Sequence, residues 1–191
     1  VVLAEPLWAS LFQYGKFDMA DTRMVTAAVA AMSIGIPAFM LSKVLLPAFY
    51  SRHDTKTPMK IAIYTVLVNV VLIVSLVTPM WYYKMPMAHV GIALATALAG
   101  IFNAAALSWY LKKEGVYHPE PGWRLWMIKI IAACVLMTIS LLIIRWYVGD
   151  WRLLAGFWRI VWLLTAVSAG ATVYLLSHWV FGLRLSHLRE V

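Results

Sequence analysis

Five long apolar runs constrain this chain more than any other feature of its sequence. They cover residues 24–50, 59–80, 87–111, 125–148 and 157–181. A helix needs about 20 apolar residues to cross a hydrocarbon core of about 30 Å, and each run is long enough. Since backbone polar groups in lipid must be satisfied within the protein, such runs favour helices. The predicted fold class is an all-α polytopic membrane protein with five transmembrane helices.

The composition supports this class and argues against several others. Hydrophobic residues make up 63% of the chain and charged residues 13%, whereas soluble domains average about 45–50% and about 25%. The net charge of +8 comes from cations scattered at the ends of the apolar runs, without the basic patch that indicates nucleic-acid binding. The five histidines are dispersed, and no HExxH, GxSxG or Gly-rich phosphate loop occurs. The sequence therefore predicts no enzyme, no metal site and no cofactor.

The first residues, VVLAEPLWASLF, lack both an initiator Met and the pattern of a signal peptide. They are typical of the tail of a helix that begins upstream. We therefore expect the end of a sixth helix at residues 1–12, and we expect the chain to be the C-terminal part of a longer protein.

The distribution of cations predicts the orientation in the membrane, because Lys and Arg are retained preferentially on the cytoplasmic side. One side of the predicted topology carries ten cations: Lys43, Arg52, Lys56, Lys60, Lys112, Lys113, Arg124, Lys129, Arg184 and Arg189. The other side carries six: Lys16, Arg23, Lys84, Arg145, Arg152 and Arg159. This difference places the loop after residue 50 and the C-terminus in the cytoplasm.

Four stretches of the sequence carry a family resemblance. They are LFQYGKFD (11–18), KVLLPAFYSRHDTKTPMKIA (43–62), HVGIALATAL (89–98) and NAAALSWYLKK (103–113). Together, and in this order, they resemble the C-terminal part of the MurJ (MviN) lipid II flippase family. That family belongs to the multidrug/oligosaccharidyl-lipid/polysaccharide exporter superfamily.

The resemblance implies an architecture of two six-helix lobes around a central cavity, followed by two further helices. Residues 1–113 would then hold the end of helix 9 and helices 10 to 12 of the C-terminal lobe. Residues 114–191 would hold helices 13 and 14 and a cytoplasmic tail. The family's essential cavity arginines and an aspartate lie mainly in the N-terminal lobe and in helices 7 and 8, outside this chain.

Three charged residues are candidates for substrate binding or gating. Lys43 lies seven residues before Tyr50, so its Cα is about 10 Å inside the span. It either faces the cavity and attracts the pyrophosphate of the lipid carrier, or extends along the helix to the headgroups. In the loop, Arg52 and Asp54 are expected either to form a salt bridge that latches the cytoplasmic face, or only to anchor the topology. Thr57 is expected to cap the next helix, with Pro58 at its first position.

Two prolines and three polar residues lie inside the spans. Pro37 and Pro47 each remove a backbone hydrogen bond and predict a bent helix, which fits a gate and also fits simple packing. Asn69, Thr96 and Asn103 are expected to form interhelical hydrogen bonds.

In some family members, Asn, Asp and Thr side chains on helices corresponding to the second and third spans bind a cation. Asn69 and Thr96 match two of these positions. Ile73 stands where the carboxylate is expected, which argues against a sodium site.

Small residues mark two helices. Gly91, Ala95 and Ala99 recur every four residues and predict a face for close helix contact. In the last span, Ser168, Gly170 and Thr172 either pack in the same way or, as the resemblance implies, form the floor of a lipid-facing groove against residues 125–148. In the family this groove takes the polyprenyl tail.

The function implied by the resemblance is translocation of lipid II across the bacterial inner membrane by alternating access, for peptidoglycan synthesis. The expected partners are lipid II, membrane lipids and other cell-wall synthesis proteins, without nucleic acid. Two alternatives stay open: another lipid-linked oligosaccharide or drug exporter of the superfamily, and a non-transporting membrane scaffold for cell-wall enzymes.

Overall fold

The computed structural model describes residues 2–12, 19–83, 88–116, 123–149, 154 and 156–181. Within these ranges the secondary structure is helical and contains no β-strand. The helices are α1 (Ala4–Phe12), α2 (Met19–Ser33), α3 (Ile36–Tyr50), α4 (Lys56–Tyr82), α5 (Ala88–Lys113), α6 (Trp123–Val148) and α7 (Gly156–Val180). Five segments are long and apolar enough to cross a membrane: Thr22–Tyr50, which joins α2 and α3, and the four helices that follow. The predicted all-α class with five spans is confirmed.

The ends of the last four spans agree closely with the sequence pattern. Each end of α4, α5, α6 and α7 lies within three residues of the predicted one. The short helix α1 falls within the segment expected to end a sixth helix. Hydropathy alone therefore located these helices, because the length needed to cross a bilayer is a local property of the chain.

The first span is broken, which corrects the prediction that Pro37 lies inside one continuous bent helix. Helix α2 ends at Ser33, and Pro37 occupies the first turn of α3. Since proline has no N–H, it leaves the Ser33 carbonyl without a donor four residues later. The backbone N–H groups of Ile34 and Gly35 donate to carbonyls three residues earlier, at 3.3 and 3.0 Å, and not to those four residues earlier as in an α-helix. Pro47 does lie within α3, as predicted.

Glycines let the broken span approach α5 closely. A Cβ atom on Gly35 would lie 2.8 Å from Ala97 Cα, and one on Gly100 would lie 2.3 Å from the ring of Phe39. Real Cβ atoms do not occur at such distances, so both positions require glycine in this packing. The break between α2 and α3 is thus held against the middle of α5.

The described helices fall into two compact units. Helices α2 to α5 form unit 1, in which α5 contacts each of the other three. Five buried side chains, from α3, α4 and α5, form its core at one end: Leu45, Phe49, Ile61, Leu107 and Leu111. Helix α5 is central to the unit, and α4 has most of its surface exposed.

The small-residue face predicted for α5 is confirmed. Gly91, Ala95 and Ala99 are buried. A Cβ atom on Gly91 would lie 3.1 Å from Met80 Sδ and 3.3 Å from Val77, so α4 and α5 are in van der Waals contact there. Such contact is a main source of helix association in lipid, where the hydrophobic effect contributes little.

Unit 2 contains α1, α6 and α7. Leu141 of α6 and Ala166 of α7 form its small buried core, and α1 packs against α7. Arg145 near the end of α6 donates to Glu5 Oε2 of α1 at 2.6 Å. At the opposite end of α6, Lys129 Nζ donates to the Phe181 carbonyl at 2.8 Å, which places a cation at the C-terminus of α7.

The exposed surface of both units is largely apolar. Large side chains such as Val44, Val71 and Leu175 are about two-thirds exposed or more, an arrangement that water would penalise and lipid would not. Exposed aromatic residues concentrate near helix ends, including Trp81, Tyr82, Tyr83, Trp146 and Tyr147. Amphipathic rings favour the headgroup layer. The described residues are therefore those of a membrane protein.

Candidate functional site

One end of unit 1 gathers most of the charge found among its described residues. The end of α3, the start of α4 and the end of α5 meet there around the core of unit 1. Five cations lie at this end, which we call the basic end: Arg52, Lys56, Lys60, Lys112 and Lys113. Among the residues that the structure describes, the carboxylates at the basic end belong to Asp54 and Glu114.

The tight turn between α3 and α4 positions Asp54. The N–H of Asp54 donates to the Phe49 carbonyl at 3.1 Å, and His53 adopts a left-handed φ of 57°. Asp54 Oδ1 then accepts the N–H groups of Lys56 and Thr57, both at 3.1 Å. Asp54 thus satisfies two free donors at the start of α4. The predicted cap at Thr57 is wrong, because α4 begins at Lys56.

The capping hydrogen bonds lower the pKa of Asp54. The largest cause is the hydrogen bond from the Thr57 side chain, followed by that from the Thr57 N–H. The N–H of Lys56 and the charge of Arg52 lower the pKa further, and partial desolvation opposes them. Hydrogen bonds to a carboxylate favour its charged form, so Asp54 is a stable anion at neutral pH.

Arg52 pairs with Glu114 and not with Asp54, which corrects the predicted salt bridge. Arg52 Nη1 lies 2.5 Å from Glu114 Oε2. The pair connects the turn after α3 to the segment that follows α5. Both side chains are partly exposed, at 46% and 37%, and exposed pairs contribute about 0–1 kcal/mol. The pair is therefore suited to biasing a conformation and not to locking it.

Lys43 lies on the face of α3 that is turned away from α5. The opposite face, with Ser42, Leu45 and Phe49, is buried. An exposed stripe runs along α3 at helical spacing through Ile36, Met40, Lys43, Pro47 and Tyr50. None of the described helices of unit 1 covers this stripe. The cation predicted to bind substrate thus lies about two turns from the basic end, on an open face.

Asn103 joins three helices by hydrogen bonds, as expected of a polar residue in a span. Its Nδ2 donates to Ser42 Oγ of α3 at 3.1 Å. The Thr65 hydroxyl of α4 lies 3.2 Å from Asn103 Oδ1 and 2.8 Å from the Ile61 carbonyl, so its single proton is shared. We call Ser42, Thr65 and Asn103 the polar triad. It ties α3 and α4 to α5 inside the apolar part of unit 1.

Unlike Asn103, Asn69 and Thr96 form no hydrogen bond to another helix among the described residues. The Thr96 hydroxyl donates to the Ile92 carbonyl of its own helix at 3.0 Å, which corrects the expected interhelical bond. Asn69 Oδ1 is buried without a hydrogen-bond partner among the described residues. In the described part of the chain, no group of three or more His, Cys, Asp or Glu side chains is arranged to hold a metal ion.

The three groove candidates on α7 do not share one surface. Gly170 is buried, and a Cβ atom there would lie 3.2 Å from Leu141 Cδ2 of α6. Ser168 and Thr172 are exposed, and the Thr172 hydroxyl donates to the Ser168 carbonyl at 2.8 Å. Gly170 therefore lies at the contact between α6 and α7. A lipid groove that uses Ser168 and Thr172 stays a prediction.

The roles of Glu114, Ser42 and Thr65 were not predicted from the sequence. A signal for Glu114 was present, because alternate spans place it on the same side of the membrane as Arg52. The sequence also held a signal for the polar triad, since each member lies eight to ten residues from the basic end of its helix. Residues at equal depth in neighbouring helices are able to meet, but the sequence does not say which faces are turned toward each other.

Comparisons with known proteins identify the family. The family model described as lipid II flippase MurJ matches residues 1–162. A Burkholderia cenocepacia protein named "Lipid II flippase MurJ" is 32% identical over 192 residues, covering 98% of this chain and 35% of the relative. A Rickettsia prowazekii protein named "Probable lipid II flippase MurJ" is 33% identical over 147 residues, covering 77% of this chain and 28% of the relative.

A third relative, from Haemophilus influenzae and named "Probable lipid II flippase MurJ", is 31% identical over 193 residues. The match covers 98% of this chain and 35% of that relative. The chain thus spans about a third of the length of these relatives, and the family match extends over more than half of the chain. On these grounds, this membrane protein belongs to the MurJ lipid II flippase family.

Proposed function

We propose that the full-length protein containing this chain is a lipid II flippase of the bacterial inner membrane. The observation that carries the proposal is the family match over residues 1–162. The proposed activity moves undecaprenyl-pyrophosphoryl disaccharide-pentapeptide outward by alternating access, to supply peptidoglycan synthesis. No chemical bond is made or broken in this activity, so the protein acts as a transporter and not as an enzyme.

The physical task divides the substrate into two parts. The charged, sugar-bearing headgroup needs a hydrated path lined with cations, because ions are costly to place in hydrocarbon. The polyprenyl tail needs continuous contact with lipid. A flippase therefore combines a polar cavity with an opening toward the bilayer.

The exposed stripe of α3 is the part of this chain that we assign to the cavity. Its single cation, Lys43, is open and lies about two turns inside the span, where an ammonium group is costly unless an anion or water accompanies it. A diphosphate in the cavity would provide that anion. The polar triad supports this assignment indirectly, because it holds α3 in a defined rotation through Ser42, the residue adjacent to Lys43.

The contact between α6 and α7 is the part that we assign to the tail. Both helices expose large apolar side chains along most of their length. Gly170 brings them together at Leu141, and a groove for a polyprenyl chain would run beside that contact.

The proposed orientation places the basic end in the cytoplasm. It rests on the excess of Lys and Arg on that side of the topology. Other cell-wall synthesis proteins would then reach the basic end from the cytoplasm, where the loop between α3 and α4 and the end of α5 are exposed.

Complementation of a flippase-depleted bacterium tests the proposal. The full-length protein should restore outer-leaflet lipid II, measured by labelling the lipid at the cell surface. Lys43→Ala should lower the labelled lipid by about ten-fold, as expected for loss of a charge-assisted contact. Arg52→Ala should have a smaller effect, because its ion pair is exposed.

Lys56→Ala is the matched control, since it removes an exposed cation at the basic end away from the stripe of α3. It should leave transport unchanged. If the full-length protein restores no lipid II at the outer leaflet while accumulating normally in the membrane, the proposed function is wrong. If transport is restored and is equally insensitive to Lys43→Ala and Lys56→Ala, only the role of Lys43 is wrong.

A further inference from the structure

A groove between α4 and α5 opens at the basic end and has no role in the function described above. Its volume is about 330 Å³. One wall is a stripe of α4 residues at helical spacing, namely Thr57, Lys60, Ile61 and Tyr64. The other wall is a stripe of α5 at four-residue spacing, namely Phe102, Ala106 and Tyr110. Two antiparallel helices thus frame a cleft that runs from the basic end toward the apolar interior.

The chemistry of the groove changes along its length. Near the basic end it presents the Lys60 ammonium and the Tyr110 hydroxyl, both on exposed side chains. Farther along, Phe102 and Ala106 make one wall apolar, and Tyr64 adds a ring with a hydroxyl group. A polar mouth with an apolar extension matches a molecule that carries a headgroup and a hydrocarbon chain.

The charge balance at the mouth favours an anion. Both described carboxylates of the basic end are engaged elsewhere, Asp54 with the start of α4 and Glu114 with Arg52. Among the described residues, no carboxylate forms an ion pair with Lys60. Its ammonium group is therefore available to a ligand.

We propose that this groove binds an anionic phospholipid of the surrounding leaflet, such as phosphatidylglycerol. Lys60 contacts the phosphate, with Tyr110 as a hydrogen-bond donor, and one acyl chain lies along Phe102 and Ala106. Basic pockets between transmembrane helices are recognised sites for anionic headgroups, and a charged donor to a phosphate makes a strong hydrogen bond. The apolar extension commits the site to a lipid, because free phosphate would leave it empty. The lipid would act as a resident structural ligand, separate from the transported substrate.

Lipid retention by the full-length protein tests the proposal. The purified protein is titrated in detergent with phosphatidylglycerol or phosphatidylcholine, and bound lipids are counted by native mass spectrometry. Phosphatidylglycerol should bind in preference to phosphatidylcholine. Lys60→Gln should weaken phosphatidylglycerol binding by about five-fold, whereas Lys60→Arg should preserve it.

Lys56→Gln is the matched control, because it removes the same charge one turn earlier on α4 and does not line the groove. It should leave binding nearly unchanged. Tyr110→Phe should weaken binding less than Lys60→Gln, since it removes a single neutral donor.

Three results would overturn the proposal. Equal losses for Lys60→Gln and Lys56→Gln would mean that the lipid responds only to surface charge. Equal retention of phosphatidylglycerol and phosphatidylcholine would mean that the groove binds acyl chains without selectivity for the headgroup. Lys60-dependent retention of an undecaprenyl-diphosphate lipid, with no retention of phosphatidylglycerol, would assign the groove to the substrate. Because the assay measures no transport, its outcome does not depend on the proposed flippase activity.

Discussion

Replacing Asn103 with alanine removes a side chain that hydrogen-bonds to two other helices. The bond to Ser42 Oγ, at 3.1 Å, is lost completely. The Thr65 hydroxyl loses only a partner at 3.2 Å and keeps its 2.8 Å bond to the Ile61 carbonyl. The two losses are therefore unequal, and the contact with Ser42 should carry most of the effect.

The expected cost follows from measured hydrogen bonds between helices in lipid. These average about 0.6 kcal/mol and reach about 1.7 kcal/mol. One full bond and one shared bond predict a loss of about 1 kcal/mol, or about five-fold in the unfolding equilibrium. Thr96→Ala is the matched control on the same helix. Its hydroxyl bonds only within α5, so its removal should cost clearly less.

The assay is reversible unfolding of the full-length protein in bicelles, with a double-mutant cycle between Asn103→Ala and Ser42→Ala. A coupling free energy of about 0.6 kcal/mol or more should appear, because each variant removes the same bond. Additive effects of the two substitutions would refute the reasoning, and so would a cost of Asn103→Ala no larger than that of Thr96→Ala. Either result would mean that packing alone holds α3 against α5.

Other predictions follow from single contacts. Gly100→Ala places a Cβ atom 2.3 Å from an aromatic ring and should destabilise the protein by about 1–3 kcal/mol. Gly170→Ala should be nearly neutral, because its new Cβ atom meets only the flexible end of a leucine side chain. Equal shifts in the melting temperatures of the two variants would contradict this prediction. The lowered pKa of Asp54 contributes stability that is present above the ordinary value of 3.8 and is lost as the pH falls through the lowered value. Asp54→Asn keeps a capping side chain and should flatten the thermal stability profile in acid, and an unchanged profile would show that the cap is not titrating. Arg52→Cys, in a Cys134→Ser background, should react with impermeant thiol reagents only from the cytoplasmic side, and labelling from the periplasm would reverse the proposed orientation.

The sequence established the helices of this protein with little help from tertiary structure. Crossing a bilayer requires a minimum length of apolar residues, and hydropathy along the chain measures that length directly. The small-residue face of α5 was also predicted from the sequence, because the spacing of Gly91, Ala95 and Ala99 places them on one side of the helix. Orientation was also predicted locally, from where the cations lie.

The sequence patterns did not predict which side chains on different helices contact each other. Arg52 was expected to pair with the carboxylate two residues away, yet the turn commits Asp54 to the start of α4 and leaves Arg52 to Glu114, which is 62 residues away in the sequence. Thr96 and Asn103 were equivalent as polar residues within one span. Only Asn103 faces α3 and α4, so only it forms bonds between helices.

The break between α2 and α3 shows the same limit. Pro37 predicted a disturbance of the span, which is a local effect of a missing N–H. Its form, a complete interruption at Ile34 and Gly35 seated against α5, depends on the absence of side chains at Gly35 and Gly100. Sequence thus determined which segments cross the membrane, because that depends on each segment's own hydropathy. Tertiary structure decided which side chains meet, because the rotation of each helix is set by packing against residues far away in the chain.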